Sequence, residues 1–108
     1  MDGETVDKVL VALANPARRG ILNEIAAKGQ VTATTLADRV TISRQAVIKH
    51  LDVLKDAGLV TGRHIGREVR YSVLPEQLGV TAAWMKNLSR QWDRRLVSIK
   101  RLAEGKKD

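Results

Sequence analysis

Between Ser43 and Lys49 the chain sets a hydroxyl, a guanidinium, a carboxamide and an ammonium within two turns of helical spacing. Wound at about 100° per residue, Val47, Leu51 and Leu54 share one side, and Gln45, Ile48, Lys49 and Asp52 share the opposite one, with Arg44 at its edge. The polar side holds no nucleophile beside a base, so its chemistry is recognition rather than bond-making. A carboxamide such as Gln45 pairs with the edge of adenine, a guanidinium such as Arg44 with guanine or a phosphate, and an ammonium such as Lys49 with a phosphate. Ile48 admits two readings. It is either an apolar group that meets a thymine methyl, or a single exposed isoleucine of the kind any protein surface carries.

A second basic set follows closely. Arg63, His64, Arg67 and Arg70 fall within eight residues, where two short alternating runs flank a Gly-bearing tip. Val69, Tyr71 and Val73 face one way and Arg70 and Ser72 the other, the pattern of a β-hairpin over residues 59–73. Lys and Arg number 19 against 12 Asp and Glu, a formal net charge of +7, and a small domain so basic attracts polyanions. The positions of these charges, on a polar helix face and on the hairpin directly after it, favour nucleic acid over a merely solvated surface.

The remaining elements must hold these two sets in place. Thr32 caps a short helix with Leu36, Ala37 and Val40 inward, Thr41-Ile42 is a tight turn, and Ser43 caps the next helix, which Ala57-Gly58 stops. Residues 32–58 thus read as a helix-turn-helix, the arrangement that lays its second helix along a DNA major groove. Upstream, Met1 to Glu4 read as a frayed start, and Val6, Val9, Leu10 and Leu13 give one apolar stripe over about two turns. Asn15-Pro16 ends that helix and starts another, with Asn15 as cap, Pro16 in the first position, Ile21, Leu22 and Ile25 inward, and Lys28-Gly29 at the close. Arg18 and Arg19 sit in its first turn against the helix dipole, either to serve something outside the helix, such as a phosphate or a partner carboxylate, or as a solvated pair.

Pro75 opens a long last helix over residues 75–104, its start weakened by Gly79. Met85, Leu88, Trp92, Leu96 and Ile99 repeat at helical spacing, with Trp84 beside them, and give more apolar face than a small domain can cover. Self-association through this helix is the economical explanation. Trp84, Met85, Leu88, Trp92, Leu96 and Ile99 are its expected dimer residues. The two tryptophans are either interface packing or the wall of a small-ligand site. A membrane-surface role for this helix is the minor alternative, because Asp93 and Glu104 interrupt its basic side.

With 108 residues the chain makes one domain, 1–108, mainly α with a small β-hairpin, in the order α-α-α-α-β-β-α. There is no cysteine, which excludes disulfides and thiolate metal sites, and His50 and His64 lack any ligand spacing, so neither metal nor cofactor is expected. No catalytic pair or phosphate-cradling glycine loop is visible, and an enzyme is not expected. The acidic start lacks a signal peptide's features, and no apolar run approaches the roughly 20 residues of a membrane span. A cytoplasmic, nucleoid-associated protein is expected.

These stretches together resemble the ArsR (arsenic-repressor-like) family of bacterial transcription regulators. The resemblance is carried by Leu13 to Leu22 (LANPARRGIL), Ser43 to Val60 (SRQAVIKHLDVLKDAGLV) and Gly66 to Ser72. It implies a winged helix-turn-helix homodimer that represses transcription from an inverted-repeat operator, with the Ser43-started helix in the major groove and the hairpin along the backbone or minor groove. The dimer it implies forms through the terminal helices, with Val6, Val9, Leu10 and Leu13 of the first joining the dimer residues of the last. On this reading Thr34, Ser43, Arg44, Gln45, Ile48, Lys49, His50, Arg63, His64, Arg67 and Arg70 contact double-stranded DNA. His50 falls at the family's usual structural histidine. Ile48 stands where similar sequences carry a small polar residue, and the cysteine pair and terminal-helix histidines of the metal-sensing members are absent. The inducing signal, if one exists, is not written in these residues. The contrasting reading is a winged-helix protein-interaction module without sequence-specific DNA binding.

Overall fold

The computed structural model describes residues 3–105. In chain order it contains α1 (Gly3–Leu13), α2 (Pro16–Lys28), β1 (Val31–Thr32), α3 (Ala33–Val40), α4 (Arg44–Asp56), β2 (Val60–Ile65), β3 (Glu68–Val73) and α5 (Glu76–Ala103). The architecture is the expected winged helix-turn-helix with one strand more than the sequence pattern suggested. Val31 and Thr32 pair antiparallel with Tyr71 and Arg70, so the hairpin becomes a three-stranded sheet in the order β1-β3-β2. A two-residue strand carries no alternation to detect, and only its partner reveals it.

The helix ends follow the chemistry of their caps. Asn15 Oδ1 accepts from the backbone of Ala17 (2.8 Å) and Arg18 (3.2 Å), Thr32 Oγ1 from Thr35 (3.2 Å), and Ser43 Oγ from Ala46 (3.1 Å), each satisfying amides a helix leaves unpaired. At the end of α4, Gly58 takes φ +75°, which a Cβ disfavours. Its amide bonds Lys55 O at 2.9 Å and that of Leu59 bonds Leu54 O at 2.9 Å, a Schellman close. Leu54 and Leu59, the apolar pair of that motif, are both fully buried.

One core joins these elements. Val9 and Ala12 of α1, Ile21, Leu22 and Ile25 of α2, Leu36 of α3, and Val47, Leu51 and Leu54 of α4 meet Val31, Leu59 and Val60. The α1 stripe is rotated slightly from expectation: Val6, Val9 and Ala12 are buried, while Leu10 is 38% exposed. Gly3 and Glu4, expected to fray, are already helical, whereas Met1 and Asp2 lie outside the described residues. Nor does Gly79 interrupt α5, whose helix is continuous from Glu76.

The core docks only the start of α5, through Leu78 and the buried Thr81, whose Oγ1 donates to Gln77 O at 2.9 Å. Beyond Trp84 the helix leaves the domain, and the molecule measures 70 × 27 × 21 Å. No helix among the described residues is long and apolar enough to cross a membrane.

Candidate nucleic-acid interface

The turn between α3 and α4 sets the angle of the reading face. Thr41 occupies the left-handed region (φ 53°, ψ 46°), a conformation that a β-branched residue rarely adopts. With the turn closed in this way, Val47, Leu51 and Leu54 are buried, and Ser43, Arg44, Gln45, Lys49 and Asp52 are exposed on the other sides of α4. The outward row expected from the helical wheel is therefore present. Ser43 Oγ is spent as an acceptor on the Ala46 amide, which leaves its O–H to donate.

Ile48 does not stand out on this row. It is half-buried and packs on the rim of the core, and it helps line a groove of about 480 Å³ between the helix-turn-helix and the sheet. Thr34, Arg44, Arg67, Val69 and Tyr71 line the same groove. The expectation of an isoleucine carried on the polar face is corrected accordingly: at 100° from Val47, Ile48 lies on the flank of α4 that faces β3. Thr34, Arg44 and Arg67 converge there from three elements.

The sheet sorts the basic residues of the hairpin onto two faces. Arg63 lies opposite Arg70 and His64 opposite Val69, so Arg63 and Arg70 share one face while His64 sits with Val69 and Tyr71 on the other. Two arginines directly opposed repel. Glu68 relieves this repulsion, its Oε1 accepting from Arg70 Nε at 3.3 Å and Nη2 at 3.2 Å. Arg70 thus enters any contact with its charge already paired. Arg67 occupies the hairpin tip with Gly66, whose φ of +64° fits the first central residue of a II′-type turn. Among the described residues Arg63 and Arg67 form no ion pair.

His50 lies on the opposite flank of α4 from Ile48 and is half-buried, with its Nδ1 3.5 Å from Arg18 Nη1. The structure brings it to α2 instead of to Gln45 and Lys49. Arg18 and Arg19 serve a group outside their own helix, as expected, but that group is neither a phosphate nor a carboxylate. Arg18 donates from Nε to Ala12 O at 2.8 Å and from Nη2 to Val11 O at 3.2 Å, and Arg19 Nη1 donates to Leu13 O at 2.5 Å. Both cations close the carboxyl end of α1, which has no basic residue in its own last turn. The signal was there: a helix without a cationic end, a two-residue connection, and two arginines immediately after it.

Among the described residues no cluster of three or more His, Cys, Asp or Glu could hold a metal ion. Of the expected dimer residues, Val6 and Val9 are buried in the domain and Leu13 and Trp84 are partly buried. Met85, Leu88, Trp92, Leu96 and Ile99 are all between 50% and 57% exposed, along one stretch of α5.

Comparison with known proteins places this geometry. A family described as a helix-turn-helix domain matches residues 13–63. The transcriptional repressor SdpR of Bacillus subtilis is 30% identical over 82% of this chain and 97% of its own length. An ArsR-like transcriptional regulator from Rhodococcus sp. RHA1 superposes with a TM-score of 0.82 at 39% identity, over 93% of both chains. The homodimeric winged helix-turn-helix DNA-binding domain of a possible ArsR-family regulator from Mycobacterium bovis superposes with a TM-score of 0.64 at 27% identity, over 86% of this chain and 82% of that one. With its fold and its sequence similarity to these regulators running over nearly the whole chain, this cysteine-free protein belongs to the ArsR family of winged helix-turn-helix transcriptional regulators.

Proposed function

We propose that the protein is a homodimeric repressor that binds an inverted-repeat operator, with α4 of each protomer in the major groove. The observation that carries this reading is the exposed row Arg44, Gln45 and Lys49, placed on a buried apolar spine and flanked by Arg67 across the groove. Gln45 reads an adenine edge, Arg44 a guanine or a phosphate, and Lys49 a phosphate. Thr34, Ser43 and Arg67 hold the DNA backbone, with Arg63, His64 and Arg70 beside it on the wing. Ile48 contributes the apolar wall between reader and wing rather than a lone contact.

Dimerisation is supported by the uncovered apolar stretch of α5 and by the homodimeric state of the Mycobacterium bovis domain. A two-fold dimer places its half-sites about 10 base pairs apart along one face of the duplex. Repression follows from occupancy of promoter DNA, and the SdpR relative is itself named a repressor.

The experiment is selection of bound DNA from a random pool, followed by footprinting and a gel shift with random DNA as competitor. A symmetric footprint with two half-sites supports the reading. Binding without sequence preference makes the chain a protein-interaction module instead, and a single unsymmetric half-site at dimer concentrations refutes the two-fold arrangement.

A further inference from the structure

We propose that Arg18 is a positioning residue for the reading helix, tying the carboxyl end of α1 to His50 on α4. This inference rests on the reading of α4 as the DNA reader. One guanidinium serves three acceptors from two other helices: Ala12 O at 2.8 Å, Val11 O at 3.2 Å and His50 Nδ1 at 3.5 Å. Its own anchor is fixed as well, because the Arg18 amide is held by the Asn15 cap at 3.2 Å. The side chain therefore spans from the first turn of α2 to α1 on one side and α4 on the other.

The contact with α4 has a defined chemical form. A guanidinium carries only donors, so His50 Nδ1 must be the acceptor and Nε2 carries the ring proton. Both side chains are half-buried, where a charge-assisted bond is less screened than at the surface. His50 adjoins Lys49 and lies two residues from Ile48, so the anchored flank and the reading row belong to the same two turns. A roll of α4 that moves Gln45 and Lys49 over the bases must stretch this bond. At 3.5 Å it stands at the long end of bonding distance, where a small helix shift makes or breaks it. The far end of the same guanidinium rests on α1, the helix set beside α5, so the bond adds a polar tie between that helix pair and the reader to the apolar packing of Val9 and Ala12 against α4.

The test measures discrimination: the affinity for a DNA sequence selected by the wild-type protein, divided by that for random DNA. Arg18→Met removes the donors and keeps the stem. His50→Leu removes the acceptor, together with the Nε2–H, and leaves Arg18 on α1, so it remains informative if Arg18→Met unfolds. His50→Asn restores an acceptor oxygen near the place of Nδ1. Each of the first two is expected to cut discrimination roughly three- to tenfold, the loss of one charge-assisted bond at long distance. The double variant loses no more than the larger single, and His50→Asn stays within about twofold of wild type, as one retained bond requires. Nitrogen-15 spectra show His50 as the Nε2–H tautomer in the wild type and as a mixture in Arg18→Met. Equal discrimination in His50→Leu and wild type, an additive double variant, an Asn variant as impaired as the Leu variant, or an Nδ1–H tautomer overturns the assignment while leaving α4 as reader. A wild-type protein that does not discriminate at all overturns both.

Discussion

Replacing Trp92 by alanine removes the largest apolar side chain on the uncovered stretch of α5. The tryptophan is 57% exposed and stands outside the core cluster, so the domain itself loses little when it is truncated. A tryptophan side chain offers roughly 200 Å² in all, which leaves about 110 Å² for a partner to cover. At about 25 cal/mol per Å² this is about 3 kcal/mol for each protomer, and about 5–6 kcal/mol for a symmetric pair, if coverage is complete. Partial coverage and the alanine methyl that remains halve that figure, and about 3 kcal/mol corresponds to about a hundredfold weaker dimer. Sedimentation equilibrium over a concentration series reads the dimer dissociation constant directly, with circular dichroism to show that the fold is retained. A constant unchanged within about threefold, far below the hundredfold expected, would refute the placement of this stretch at the dimer interface.

Three further substitutions probe separate parts of the account. Gln45→Ala should cost about 1–3 kcal/mol on the selected operator and relax preference at one base pair, read by competition with singly substituted operators; an equal loss on random DNA counts against base reading. Arg67→Ala should weaken operator and random DNA alike and lower the slope of log K against log salt by about 1 per protomer, and an unchanged slope removes Arg67 from the backbone contacts. Thr41→Gly should raise stability by about 1 kcal/mol, since relief of the left-handed φ at 53° outweighs the added freedom of the unfolded chain; a lower urea midpoint contradicts this.

Much of this structure is legible in the sequence because its signals are local. Asn15, Thr32, Ser43 and Gly58 sit where caps and stops require their chemistry, and Val47, Leu51 and Leu54 mark the buried side of α4 without reference to any other element. What escaped depends on partners distant in the chain. Strand β1 exists because Val31 and Thr32 meet Tyr71 and Arg70, some 40 residues on. Ile48 belongs to a groove that forms only when β3 folds back beside α4. His50 and Arg18 are 32 residues apart, and no periodicity in either helix announces their contact. The opposed pair Arg63 and Arg70 was also hidden, because register across a hairpin, and not residue spacing, decides which charges face each other.

If α4 reads DNA sequence as part of a two-fold dimer, the protein must select a symmetric site. Selection of bound sequences from a random duplex pool, with footprinting of the winner, tests it most directly. The expected winner is an inverted repeat with half-sites about 10 base pairs apart, protected on one face of the duplex and retained against random competitor. Enrichment of no sequence, or of a lone unsymmetric half-site under conditions where the protein is dimeric, would contradict it.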